Sequence, residues 1–178
     1  MDYESIGNRV EIIGSEELRK VHPLGKLPAA VIDGRPLFES AAIATAIADL
    51  VPEKGLIAKP GTWSRYLHYQ WVSFALTEME AFVQSSEINS VDFVLPKSQH
   101  VPEIIGQNSM LFKKSAAALD TVLGKTSYLV DDRFSVTDII VGYTVNWGFG
   151  DGLLGECPNL MAYLARLFER EHCTLRRH

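Results

Sequence analysis

Five histidines (His22, His68, His100, His172 and His178) and two cysteines (Cys157 and Cys173) are the residues of this chain that could ligate a metal or cycle a disulfide. Their spacing supports neither. Zinc and redox sites draw on close pairs such as C-x-x-C or H-x-x-x-H, and the cysteines stand far apart. His172 and Cys173 are adjacent, which is poor geometry for joint ligation on a helix. No metal is expected. No Gly-rich phosphate loop and no nucleophile elbow is present. Ser135-Val136-Thr137-Asp138 does set a hydroxyl near a carboxylate. Its spacing is that of a helix capping box, with Asp in place of the usual Glu, and Phe134 and Ile139 could form the hydrophobic staple. A structural role is expected there, because a cap satisfies helix-end donors that otherwise go unpaired.

A second group of polar residues lies in "HPLGKLPAAVIDGRPLFESAAI", His22 to Ile43. Lys26 sits in a turn before Leu27-Pro28, and Glu39-Ser40 opens an Ala/Ile-rich segment. Singly, each has an ordinary reading. Lys26 is a solvated charge, Pro28 an edge-strand proline and Ser40 an N-cap.

The elements that must hold these residues follow from pattern. "RVEII" (9–13) is β-branched and predicts a strand. "SEELRKV" (15–21) predicts one or two helical turns, N-capped by Ser15 and ended by His22-Pro23. "PAAVID" (28–33) and "PLFE" (36–39) predict two strands, joined at the hairpin signal Asp33-Gly34. "SAAIATAIADL" (40–50) predicts a helix with Ile43, Ile47 and Leu50 on one face. Residues 52–61, rich in Pro and Gly, read as a linker. Everything beyond reads as helical: 62–83, a break over 85–100, then 102–124, 134–148 and 159–171. The last carries Leu160, Tyr163, Leu164, Leu167 and Phe168 as a single stripe. Trp63, Tyr66, Tyr69, Trp71 and Phe74 make the first of these helices so aromatic that it is expected to bury several rings. The expected organisation is an α/β domain at 1–51, a linker at 52–61 and an all-helical domain at 62–178.

With 178 residues, 47% of them hydrophobic and 22% charged, the chain is of ordinary globular composition. A net charge of −5 without a basic block argues against nucleic acid as a partner. No apolar run reaches the roughly 20 residues of a membrane span. The first ten residues are acidic and polar where a secretion signal would be basic and apolar. A cytoplasmic protein with no membrane partner is expected.

The order of a small α/β half, a linker and a helical half, taken with "HPLGKLP", "ESAAI" and "FSVTDIIV", resembles the glutathione S-transferase (GST) family. There the first segment usually reads Asn-Pro-x-Gly-Lys-Val-Pro, so His22 and Leu27 are departures from it. The resemblance implies a thioredoxin-like N-terminal domain followed by the all-helical GST C-terminal domain. It implies a cis bond at Leu27-Pro28, with the backbone of Leu27 pairing with the cysteinyl backbone of glutathione. It further implies Ser40 and its helix N-terminus on the γ-glutamyl carboxylate, Glu39 on the γ-glutamyl ammonium and Lys26 on the glycyl carboxylate. The glutathione-binding set is thus Lys26, Leu27, Pro28, Glu39 and Ser40.

In the family a first strand and helix, with the loop that carries the catalytic Tyr, Ser or Cys, come before the strand that "RVEII" matches. Only Met1–Asn8 precede it here, so that unit is expected to be absent from this chain, and the catalytic residue is unknown. Residues 9–13 are then expected to be mobile or abnormally paired. If the natural protein is complete, the implied reaction is transfer of the glutathione thiolate to a hydrophobic electrophile. That substrate would lie against the helical domain, near candidates Tyr66, Tyr69, Gln70, Ser73 and Trp147. A homodimer is implied in either case. The alternative is a non-catalytic GST-like module for dimerisation or interaction.

Overall fold

A computed structural model describes residues 2–6, 9–92 and 94–175. The chain divides into two compact units, Met1–Ile57 and Ala58–His178.

The first unit opens with one helical turn, α1 (Arg9–Ile12), where the β-branched residues predict a strand. A strand needs a neighbour for its N–H and C=O groups. Among the described residues the only sheet has two strands, and this segment is in neither. A local turn meets part of the need, with Ile12 C=O accepting from Ser15 N–H at 3.0 Å. Weak β preference gives way to that local bonding. α2 (Glu16–Val21) is capped as its residues dictate. Ser15 Oγ accepts from Leu18 N–H at 3.1 Å, Glu16 and Glu17 lie in the first turn, and Arg19 and Lys20 in the last. β1 (Ala29–Ile32) and β2 (Arg35–Phe38) pair antiparallel in the register Ala29↔Phe38 to Ile32↔Arg35. Asp33 (φ 49°) and Gly34 (φ 74°) between them are both left-handed, as a tight hairpin turn of this kind requires. α3 (Ser40–Leu50) follows and buries Ala41, Ile43 and Ala48. Ile47 and Leu50, expected on one face with Ile43, are 38% and 48% exposed.

The second unit is all helical: α4 (Trp63–Ala75), a π-helical segment (Leu76–Glu80), α5 (Ala81–Ile88), α6 (Ile104–Leu123), α7 (Val136–Gly150) and α8 (Pro158–Phe168). A small hairpin with helices in the first unit and an all-helical second unit agree with the thioredoxin-like and all-helical domains that the family resemblance implies. The helical core joins Phe112, Ala116 and Leu119 of α6, Val141 and Val145 of α7, and Leu160, Tyr163 and Leu164 of α8 to Ala75, Met79 and Val83. The spacing on α6 and α8 is the i, i+3/i+4 stripe of a core-facing helix.

Two polar devices fix the helix starts. Ser135 N–H donates to Asp138 Oδ2 at 2.8 Å and Thr137 N–H to Ser135 Oγ at 3.2 Å, completing the capping box of α7. Asp138, fully buried, also accepts from Leu129 N–H at 3.2 Å and from the Tyr163 hydroxyl at 3.0 Å. Of the expected staple, Phe134 lies under Arg170, whose guanidinium carbon is 3.4 Å from the ring centroid, while Ile139 is 47% exposed. α8 has no side-chain cap from its own N-cap residue, Cys157. Asp120 of α6 takes that part, accepting from Leu160 N–H at 2.8 Å and from Asn159 Nδ2 at 2.9 Å.

The aromatic expectation for α4 is overturned in part. Trp63, Tyr66 and Tyr69 are 74%, 51% and 48% exposed, and of the five rings only Trp71 and Phe74, edge-on to each other, pack against the core. The buried positions of α4 are instead Arg65, His68 and Ala75. Arg65 Nε donates to Ala58 C=O at 2.7 Å, and His68 Nδ1 lies 2.9 Å from Thr137 Oγ1. With those partners, two polar residues replace rings on the inner face at little cost.

Candidate functional site

In the first unit the β-hairpin and α3 bring Leu27 and Ser40 to the same end of the ladder. Each lies two residues beyond the Ala29↔Phe38 pair, on opposite strands. The Leu27-Pro28 peptide is cis, the isomer that the family resemblance implies at this position. Leu27 is 41% exposed, and neither its N–H nor its C=O has a hydrogen-bond partner among the described residues. An extended peptide could pair with both.

Glu39 precedes α3 at φ 71°, ψ 118°. For a residue with a Cβ this conformation costs on the order of 1–3 kcal/mol, and such strain collects at ligand sites. Glu39 C=O accepts the first helical bond, from Ile43 N–H at 2.9 Å, and its side chain does not cap the helix. The amides of Ser40, Ala41 and Ala42 therefore begin the helix without intrahelical acceptors. With the exposed Ser40 hydroxyl and the helix dipole, they offer a carboxylate an array of donors. Lys26 and Glu39 are both exposed, one cation and one anion available to a zwitterionic ligand.

The turn that carries Lys26 is held from beneath. His22 is buried, its ring centroid 5.0 Å from that of Phe38, and its Nδ1 accepts from Leu24 N–H at 3.1 Å. That acceptor fixes the tautomer with the proton on Nε2. An asparagine side-chain oxygen could accept the same bond.

In the helical unit the Ser135–Asp138 pair is chemically closed. Ser135 Oγ donates to Asp138 Oδ2 at 3.1 Å, and both residues are buried in the cap. Burial raises the Asp138 carboxyl above its usual range, against hydrogen bonds from Leu129, Ser135 and Tyr163 that act the other way. Burial, with the Asp138 charge adding, pushes the Tyr163 hydroxyl well above the usual phenol range. Cys157 is buried, and burial with the nearby Asp120 and Glu156 carboxylates pushes its thiol up, which keeps it protonated and unreactive. No group of His, Cys, Asp and Glu among the described residues could hold a metal ion. No helix of the described residues is long and apolar enough to cross a membrane.

Tyr66, Tyr69, Gln70 and Ser73 all face solvent on α4. Tyr69 also accepts from Arg65 Nη1 at 3.3 Å. Trp147 is half-buried on α7, edge-on to Tyr143 with centroids 6.1 Å apart. One polar pair escaped the sequence reading. Thr144 Oγ1 donates to Glu80 Oε2 at 2.6 Å, linking α7 to the end of the π-helical segment. The uninterrupted helical pattern of 62–83 gives no sign of that π-turn.

Residues 10–49 match the family model described as "Glutathione S-transferase, N-terminal domain". Among solved structures, the chain resembles a sphingomonad glutathione S-transferase complexed with glutathione. The two are 28% identical with a TM-score of 0.74, over 88% of this chain and 74% of that one. It also resembles BphK, a bacterial GST in a ternary complex, at 28% identity and a TM-score of 0.77, over 89% and 75%. Among curated proteins, it is 28% identical to elongation factor 1-gamma of Prunus avium over 85% of this chain. It is 25% identical to the glutathione S-transferase GstA of Escherichia coli O157:H7, over 84% of this chain and 71% of GstA. The chain spans only 35% of the length of the elongation-factor relatives.

Proposed function

We propose that this chain, a protein of the glutathione S-transferase family, binds glutathione through Lys26, the backbone of Leu27 beside Pro28, Glu39, and Ser40 with the amides that open α3. In this reading the Leu27 backbone pairs with the cysteinyl segment and the α3 N-terminus holds the γ-glutamyl carboxylate. Glu39 meets the γ-glutamyl ammonium, and Lys26 meets the glycyl carboxylate. The observation that carries it is the juxtaposition of an unpaired Leu27 backbone with the open amides behind a strained Glu39. The whole protein then transfers the glutathione thiolate to a hydrophobic electrophile. It acts as a homodimer, the default symmetry of soluble oligomers, in the cytoplasm, where free thiols such as Cys157 and Cys173 persist.

Similarity to elongation factor 1-gamma supports a second reading, a GST-like module that serves association with no catalysis. Calorimetric titration of the chain with glutathione, beside Ser40→Ala, tests the first. Binding that Ser40→Ala weakens about tenfold, the worth of one charge-assisted hydrogen bond, supports it. Absence of binding by a chain shown to be folded rejects it in favour of the second.

A further inference from the structure

We propose that the helical unit carries a site for a phosphate group, formed by Lys125, Thr126, Asp132 and Arg166. It lies wholly within that unit and does not rest on the glutathione reading.

The end of α6, the loop that follows it and Arg166 of α8 enclose an open cavity of about 270 Å³. A single buried water needs only about 15 Å³ of such space, so there is room for a larger polar guest. Two residues of the lining hold polar atoms that the protein leaves unmatched. Thr126 Oγ1 and Arg166 Nε are both buried, and neither has a hydrogen-bond partner among the described residues. Such atoms have given up water without compensation, and an oxygen acceptor drawn against them would recover part of that cost.

Charge sets the class of guest. Arg166 Nη2 donates to Ser127 C=O at 3.0 Å, which ties the guanidinium to the loop. The fork has five N–H donors, so most of it is left for a ligand. Neither Arg166 nor Lys125 forms an ion pair among the described residues. Two unpaired cations on one polar cavity favour an oxyanion, and a guanidinium suits phosphate in particular. Asp132 narrows the choice further. Its Oδ1 accepts from the amides of Ser127 and Tyr128, and its carboxylate borders the same cavity. Leu123 and Gly124, at the negative end of the α6 dipole, border it too. An anion that can only accept hydrogen bonds is repelled there, whereas one that keeps a proton can donate to Asp132. Inorganic phosphate keeps a proton at neutral pH. Sulfate, of the same shape, does not.

Inorganic phosphate, sulfate and glycerol 3-phosphate are titrated calorimetrically into the full chain at pH 6, where phosphate esters still hold part of their second proton. Phosphate is expected to bind about tenfold more tightly than sulfate, the worth of one hydrogen bond to a charged group. Arg166→Lys is expected to weaken phosphate about tenfold, and the exposed Lys125→Gln a few-fold. Asp132→Asn keeps an oxygen for the two amides and adds N–H donors, so it should bring sulfate up to the affinity of phosphate. Thermal melting checks each fold. Should Arg166→Lys fail to fold, Lys125→Gln and Asp132→Asn decide. Binding of neither phosphate nor the ester overturns the proposal. So does equal affinity of the wild-type chain for phosphate and sulfate, or phosphate binding that no folded variant alters. Tighter binding of the ester assigns the site to a phosphorylated small molecule, and tighter binding of the free ion to phosphate itself.

Discussion

The hydroxyl of Tyr163 on α8 donates to Asp138 Oδ1 on α7 at 3.0 Å, with both residues fully buried. The bond ties the α7 capping box to the helix packed against it. Tyr163→Phe leaves the ring in place and removes one donor from a carboxylate that retains others. It should cost about 1–2 kcal/mol in urea unfolding, and a loss below 0.3 kcal/mol would show the bond to be idle.

The same carboxylate carries a pH signature. Burial raises the folded-state pKa of Asp138 above its unfolded value. A carboxyl with a raised folded pKa binds its proton more tightly when folded. Its contribution to stability is greatest below the unfolded pKa and is lost as pH rises through the folded one. Asp138→Asn cannot titrate, so the stability gap between wild type and variant should be largest at low pH and should narrow as pH rises. Urea midpoints across the acid range check the sign. A gap that widens with pH would mean that the donors around Asp138 outweigh its burial.

Gly148 faces the Phe112 ring so closely that any side chain there would force the ring to shift. A Cβ built there would lie 2.1 Å from the Phe112 ring. Gly→Ala within a helix normally gains up to about 1 kcal/mol. Here the core must move a fully buried ring, which costs about 1–3 kcal/mol. Gly148→Ala should therefore lower the thermal midpoint, and a raised midpoint would show Phe112 free to shift.

Glu39 should trade stability for binding. Glu39→Gly releases the cost of φ 71° at this position. Against the entropy cost of glycine, a net gain of about 1 kcal/mol is expected. Glutathione affinity should fall at least about tenfold as the carboxylate is lost. A variant that binds as the wild type does would remove Glu39 from the site.

His22 serves the turn through its Nδ1 acceptor. His22→Asn keeps an acceptor and should hold glutathione affinity within a few-fold. His22→Ala leaves the Leu24 amide unpaired, at about 1–3 kcal/mol. Equal effects of the two substitutions would mean that packing on Phe38 is the whole role.

Much of this architecture was legible in the residues. Asp33-Gly34 names a hairpin turn because its backbone conformation admits few side chains. Ser15 and Ser135 name helix starts because their hydroxyls can bond only the next few amides. Residues 9–13 misled because β-branching states a preference that only a neighbouring strand can realise. Trp63, Tyr66 and Tyr69 misled because ring content says nothing about which face of a helix is inward. The link of Glu80 to Thr144 spans 64 residues and starts from the last residue of a π-turn, so no local spacing announces it. Lys26, Glu39 and Ser40 read as one set only through the order of the motifs and the resemblance they carry, since each singly is an ordinary surface residue.

The acceptor for the start of α8 stands on α6, 40 residues earlier in the chain. The two last helices therefore differ in autonomy. α7 brings its own start signal and can nucleate as soon as its first turn is made. α8 receives its signal only when α6 is already in place beside it. Formation of α8 should then trail that of α6 and α7 during refolding, and its amides should be the first of the three to exchange.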